Sequence, residues 1–387
     1  ELHPYAIGRM YQIAESNDGA LFYSDYQEIR QGKKIHHPTL EYQTGSIGND
    51  FDFGQLLLFR NDSFQQVVAQ MNTDYRFAAL YELRLSISRL GKIVHIPETL
   101  YTVQPTDLRL SGEKQFDYVD PANREVQLEM EAVCTAHLQA IGAWLAPEFQ
   151  RIDFGQENFA REASVIIPVR NRKRTIAEAV ESALQQQTDF SFNVIVVDNH
   201  STDGTGQILT ELSRRYPNLI HHIPASTELG IGGCWTEAIL LPECGKFAIQ
   251  LDSDDLYKDC HVLQRIVDTF YQENCAMVIG SYQMVDFKLE EIPPGLIAHR
   301  EWTPDNGRNN ALRINGLGAP RAFYTPVLRQ IKFPNVSYGE DYATALAISR
   351  KYPIARIYDP LYLCRRWEEN SDHDLDIQQL NNYNFYK

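Results

Sequence analysis

The chain has 387 residues, 43% hydrophobic and 22% charged, which is the balance of a packed globular protein and length enough for two or three domains. Its formal charge of −15 at pH 7 excludes a general nucleic-acid binder, which needs a basic stripe, but not a phosphate-bearing ligand neutralised locally by a metal ion. No apolar run approaches the roughly 20 residues of a membrane-spanning helix, and Glu1-Leu2-His3-Pro4 lacks the basic and apolar regions of a signal peptide, so a cytoplasmic protein, at most peripheral at a membrane surface, is expected.

In chain order, Met130, Cys134, Leu138 and Ile141 recur at spacings of four, four and three, which predicts a helix over 126–141. Periodicity is lost after Trp144, so residues 146–161 are expected to link a first domain, 1–145, to a second, 162–387. From there strands and helices alternate: a strand at Val165-Ile166-Ile167 stopped by Pro168, a helix over 176–185, a strand over 194–197, a helix over 207–215 and a strand over 247–251. Apolar strands alternating with helices predict an α/β fold whose mainly parallel sheet is covered on both faces. The six cysteines (Cys134, Cys234, Cys244, Cys260, Cys275, Cys364) form no C-x-x-C pair and are expected to be reduced, buried thiols.

The chain also repeats itself. Residues 77–101 align without gaps onto 338–362 at a constant shift (342 − 81 = 261), with identities at Tyr81/Tyr342, Leu85/Leu346, Arg89/Arg350, Ile96/Ile357 and Tyr101/Tyr362. Ala20/Ala276, Tyr26/Tyr282 and Gln27/Gln283 match at a shift of 256. The first domain is therefore expected to be a partial copy of the second. At that shift residue 1 corresponds to Tyr257 (1 + 256), so the copy lacks its front half, and the natural chain is expected to extend about 90 residues upstream.

Three acidic segments carry the chemistry. Leu251-Asp252-Ser253-Asp254-Asp255 closes a strand, where carboxylates project into the ligand crevice of an open α/β sheet. Such clustered carboxylates repel unless a cation intervenes, and hard oxygens suit Mg²⁺ or Mn²⁺ on a diphosphate. Asp198 ends another strand, and Ser201, Thr202 and Asp203 after it are the residue types that cap a helix. Glu340 and Asp341 open a helical run, yet their counterparts in the first copy are Ala79 and Leu80, so the acids serve chemistry and not the scaffold. All three segments are expected to meet around one cation-filled cleft.

The runs Ala163-Ser164-Val165-Ile166-Ile167-Pro168-Val169-Arg170-Asn171 and Val197-Asp198-Asn199-His200-Ser201-Thr202-Asp203-Gly204-Thr205, with Gly230, the Asp252–Asp255 turn and Gly339-Glu340-Asp341, together resemble family 2 glycosyltransferases over residues 162–367. The resemblance implies the GT-A fold, a mixed and mainly parallel sheet with helices on both faces, preceded here by a catalytically silent partial copy. It implies a nucleotide-diphosphate sugar donor, UDP-linked by family habit, with Mn²⁺ or Mg²⁺ and inversion at the anomeric carbon. The acceptor is a hydroxyl, on a glycan, as in polysaccharide biosynthesis. By the same resemblance Pro168, Val169, Arg170 and Asp198 line the nucleoside, Gly230 flanks the donor, Asp252 faces the ribose, and Asp254 holds the metal with His373 as a further ligand. Arg365 or Arg366 clamps phosphate, Trp367 stacks on a sugar, and Asp341 is the general base with Glu340 orienting the acceptor.

Trp235 and Thr236 stand where the family carries Arg and Asn, and Gly232-Gly233 are expected to let backbone approach the donor instead. Two rivals remain. A sugar nucleotidyltransferase needs a glycine-rich basic loop, whereas Arg170-Asn171-Arg172-Lys173-Arg174 has no glycine. A non-catalytic sugar-binding protein derived from a transferase is favoured by Trp235 and disfavoured by intact Asp254 and Asp341. Self-association as a homo-oligomer is compatible with either.

Overall fold

The computed structural model describes residues 1–72, 74–104, 119–155, 158–314, 316–367 and 377–386. The first stretch of chain forms α1 (Ala6–Ser16), β1 (Gly19–Arg30), β2 (Lys33–His37), β3 (Leu58–Phe59), α2 (Asn61–Val68), α3 (Ala79–Ile87), β4 (Lys92–Val103) and α4 (Arg124–Ala140). There follow β5 (Ala163–Val169), α5 (Ile176–Leu184), β6 (Phe192–Asp198), α6 (Thr205–Arg215), β7 (Leu219–His222), α7 (Ile231–Leu240), β8 (Phe247–Gln250), β9 (Leu256–Tyr257) and α8 (Val262–Glu273). The chain continues through β10 (Met277–Val285), β11 (Glu291–Ile297), α9 (Gly307–Asn310), β12 (Arg321–Tyr324), α10 (Thr325–Ile331), α11 (Glu340–Ser349), β13 (Ile354–Arg365) and α12 (Ile377–Tyr386).

Two compact units result. The first takes Glu1–Trp144, Leu312–Ile314 and α12; the second takes Leu145–Ala311 and the chain from 316 to 367. Residues expected to act as a linker pack into the second unit: Ile152 joins its core, and Phe154 meets Phe247, Tyr271 and Tyr324 edge-on. All six cysteines are free, four of them buried.

The second unit is built on one mixed sheet in the order β7-β6-β5-β8-β12-β10-β13-β9, with β11 on β10. β5 to β8 are mutually parallel, and β12 runs antiparallel between β8 and β10. The apolar runs of β5 and β6 are buried on both faces, as a covered parallel sheet requires. Pro168 does not stop its strand: β5 continues through Pro168↔Val197 to Val169↔Asp198. Ile166 accepts from Leu251 on the β8 side and Val169 accepts from Asn199 on the β6 side. By alternation Pro168 faces β8, where pairing has already ended at Ile166↔Gln250, so its missing N–H forfeits no bond.

In the first unit β1 pairs antiparallel with β2 and β3 and parallel with β4. Its register is that of the rear half of the larger sheet. Tyr26 faces Tyr101 as Tyr282 faces Tyr362, and Leu21 faces Ile93 as Met277 faces Ile354. The same holds for Leu21↔Phe59 beside Met277↔Phe323, and for Tyr26↔His37 beside Tyr282↔Ile297. The first two comparisons carry the shifts of 256 and 261 seen in the sequence, whereas Phe59/Phe323 and His37/Ile297 stand at 264 (323 − 59) and 260 (297 − 37).

Candidate active site

The turn after β8 brings its carboxylates inward. Asp252 receives both oxygens' hydrogen bonds from Gln250 Nε2 (3.0 and 3.1 Å), and its N–H donates to the Tyr362 hydroxyl (2.9 Å). Burial foremost, with Asp254 beside it, raises the Asp252 carboxyl above the ordinary carboxylate range, and Gln250 offsets this only in part. Asp255 is pushed well up by burial and by Asp254 and Asp252, although it accepts the Arg365 N–H at 2.7 Å. Asp252 and Asp255 are thus held where their negative charge is unwelcome, the environment a cation relieves.

Asp254 is the member of the turn that meets the basic loop. The Trp367 indole N–H donates to its Oδ2 at 3.1 Å, and Arg172 Nε lies 3.8 Å from the same oxygen. Trp367 is flanked by Arg172 and Arg174, 5.7 and 5.5 Å from its ring centre, and edge-on by Phe287. The turn after β6 fixes that loop. Asn171, in the left-handed region at φ 56°, accepts from Thr202 N–H, Arg172 N–H donates to Thr205 Oγ1, and Lys173 N–H donates to Asp203 Oδ2. Asp203 also accepts from Thr205 N–H at the start of α6, but the N-cap itself is Gly204 with no side-chain cap bond, and Ser201 and Thr202 hold Asn171 of the basic loop instead of capping the helix.

Glu340 and Asp341 begin α11 on the same network. Asp341 is ion-paired with Arg321, whose Nη1 donates to Gln250 Oε1 at 3.0 Å, so the two acidic segments share one continuous polar chain. Glu340 is 8% exposed, and its Oε2 is buried without a partner among the described residues. Burial, then the neighbouring Asp341, lifts its pKa to about 7. Charge near neutrality and an unused buried oxygen suit a group that meets a substrate hydroxyl.

Other expected site residues fall elsewhere. Through Ser201, whose hydroxyl accepts from Asn171 N–H of the basic loop, Asp198 reaches the Asp254 side, but among the described residues it makes no direct contact with Asp254 or Asp341. Its carboxylate accepts from Ser201 N–H (2.9 Å) and lies 3.3 Å from His221 Nε2; burial alone would raise its pKa, but these partners bring it below the ordinary value. It lines an open cleft of about 590 Å³ with His200, Gly206, Gln207, Arg214 and His221. The next residue, Asn199, points toward the segment before Gly230, donating to Leu229 O at 2.8 Å, and its Oδ1 is buried without a partner among the described residues. Val169 is buried in the core and Arg170 is exposed.

Arg365 is buried, with Nε donating to the Asp254 carbonyl and Nη1 to Glu178. Gly232 and Gly233 do not open backbone to a ligand. Added Cβ atoms there would lie 1.9 Å from Pro334 O and 2.2 Å from Asn335 Oδ1, so these glycines admit the chain at 334–336, and Gly230 likewise meets Val336. Trp235 is core, packed on Phe323 and Phe333. His373 lies outside the described residues.

A strand-end acidic turn facing a carboxylate pair, on a mixed α/β sheet, defines the class of enzymes that move groups from phosphorylated donors. Residues 164–331 match the model described as glycosyl transferase family 2, and this stretch of the chain is a domain of that family. The chain is 32% identical over 123 residues to an uncharacterised glycosyltransferase of Nostoc sp., covering 32% of this chain and 37% of that one. It is 24% identical over 230 residues to the poly(ribitol-phosphate) beta-glucosyltransferase of Bacillus spizizenii, covering 58% and 35%. Among solved structures it is similar to S. aureus TarS 1–349 in complex with UDP-GlcNAc, with TM-score 0.46, 24% identity, and coverage of 56% of this chain and 61% of that one. The matched stretches thus span little more than a third of the two curated relatives. Among the described residues no helix is long and apolar enough to cross a membrane.

Proposed function

We propose that the second unit transfers a sugar from a nucleotide-diphosphate donor to a hydroxyl acceptor by a metal-dependent, inverting single displacement. The observation that carries this is the polar chain joining the Asp252–Asp255 turn to Glu340 and Asp341, two acidic segments far apart in sequence. Donor and acceptor carboxylates must stand on opposite sides of one reacting carbon, and one connected site supplies both.

Asp341 takes the proton from the acceptor hydroxyl as it attacks. Glu340, with its unused oxygen, hydrogen-bonds and orients that acceptor. Asn199 Oδ1 accepts from the base, and Asp252 faces the ribose. Arg172 and Arg174, beside Trp367 and next to Asp254, bring positive charge to the donor phosphates.

Among the described residues no group of three or more His, Cys, Asp or Glu is arranged to enclose an ion. Mg²⁺ and Mn²⁺ are ordinarily held by one or two carboxylates together with substrate phosphates and water. The raised acids of the turn fit such an ion, with Asp254 as its protein ligand. When bound, the cation screens the diphosphate as it leaves.

UDP is the proposed nucleotide, by the sequence resemblance, and a hydroxyl-bearing polymer the proposed acceptor, in keeping with the relative named a poly(ribitol-phosphate) beta-glucosyltransferase. The first unit is proposed to be a partial copy of the same fold without catalytic acids. Its shared register and its Ala79 and Leu80 at the positions of Glu340 and Asp341 support this. The test is sugar transfer from a panel of UDP-sugars with Mn²⁺ or Mg²⁺. Asp254→Ala and Asp341→Asn are each expected to lower turnover by about 100-fold or more. Unchanged turnover in both variants, or UDP binding by a parent chain that never turns over, refutes the proposal.

A further inference from the structure

Arg321, at the start of β12, has a side chain only 13% exposed, and its three guanidinium nitrogens go three ways. Nε donates to Leu317 O at 2.6 Å, Nη1 donates to Gln250 Oε1 at 3.0 Å, and Nη2 pairs with Asp341 Oδ2. The Arg321 backbone N–H reaches the same Gln250 oxygen at 3.1 Å. Gln250 Nε2 in turn donates across both carboxylate oxygens of Asp252. A rigid relay therefore runs Asp341–Arg321–Gln250–Asp252, from the head of α11 to the turn after β8.

We propose that Arg321 is a positioning residue for sugar transfer, setting Asp341 on the acceptor side and, through Gln250, Asp252 on the donor side in one fixed frame. This rests on the roles given above to those two carboxylates. A buried ion pair about balances its own desolvation, so stability alone does not explain a guanidinium here. Placement does: a carboxylate in the first turn of a helix has several rotamers, and a reacting group displaced by about 1 Å loses on the order of 100-fold in rate. Only a planar fork holds two acceptors at set angles; a lysine ammonium supplies the charge to one.

The test is steady-state kinetics and thermal melting of the full chain, with UDP-sugar, Mn²⁺ and an acceptor that the parent uses, for Arg321→Met, Arg321→Lys and Gln250→Leu. Arg321→Met is expected to lower kcat about 100-fold with donor KM within about threefold of the parent. Arg321→Lys should recover part of that loss. Gln250→Leu should lower kcat about tenfold, and the double variant should be no slower than Arg321→Met, because both cut the same relay. If Arg321→Met does not fold, Arg321→Lys and Gln250→Leu decide, since each must still lower kcat by more than it raises donor KM. Parent-like kcat in the folded variants, equal loss in kcat and donor affinity, or losses that multiply in the double variant overturn the proposal. A parent chain that transfers no sugar refutes the underlying function, whereas an active parent with unaffected variants refutes only the role of Arg321.

Discussion

At Glu340 burial sets a pH dependence that can be read directly. Its carboxyl ionises at about 7 in the folded chain against the ordinary 4.5. Between those values the folded state holds a proton that the unfolded state has released, so stability falls as pH rises through this window. Glu340→Gln removes the penalty. Its advantage over the parent in denaturant unfolding should be absent near pH 4, grow through the window, and reach on the order of 3 kcal/mol by pH 8. A constant difference from pH 4 to 8 would contradict the raised pKa. Residues like this one were legible in the sequence because acid stands at Glu340 and Asp341 where the parallel stretch has Ala79 and Leu80. Arg321 and Gln250 were not legible: each is a single polar residue at a strand end, and their meaning lies in partners supplied by α11 and by the turn after β8. Asn199 was hidden behind Asp198: both are buried, and only the fold shows that Asn199 keeps a buried oxygen without a partner among the described residues.

Among elements, the decisive contact is between α7 and the chain leading into α11. The glycines of α7 looked like a place for backbone to meet a ligand, but their lost side-chain volume is filled by Pro334 and Asn335 of the same protein. Spacing along a sequence reports that something approaches a glycine, not what. Gly232→Ala would set a methyl group 1.9 Å from Pro334 O and 3.0 Å from Glu340 Cβ. Neither neighbour is the loose end of a long side chain, so α7 and α11 must part. Destabilisation of about 2 kcal/mol or more in chemical denaturation is expected, with turnover falling further than the stability loss explains, because Glu340 moves with its helix. Pro168 teaches the same lesson for strands: the type of residue suggested a stop, but the side of the sheet it faces allows the strand to run on.

Across the whole molecule, alternation of strands and helices announced the larger sheet, and the boundary near Trp144 was legible from lost periodicity. The fate of residues 145–155 was not, because their aromatic contact, Phe154, has no periodic neighbours to mark it. The smaller unit has its own internal fastening. Asp25 is buried, accepts from Thr39 N–H and Oγ1, and lies 2.8 Å from His95 Nε2. Burial alone would raise its pKa, yet these partners bring it below the usual 3.8. Its stabilising contribution is therefore present above that value and lost as pH falls through the lower folded pKa. Asp25→Asn should cost about 1–3 kcal/mol at pH 7 while leaving kcat and donor KM within twofold of the parent. A large kinetic defect without a stability change would show that this unit takes part in transfer.

That Tyr26 meets Tyr101 just as Tyr282 meets Tyr362 places two interchangeable sets of strand partners on a single polypeptide. While the chain is still unfolded, a crossed pairing of β1 with β13 would keep the tyrosine match of the right one and can compete with it. Recovery of active enzyme from denaturant should then depend on the order in which the strands emerge and find one another. Synthesis from the N-terminus, which lets β1 and β4 close before β10 exists, resolves the contest in a way that dilution of the complete chain does not.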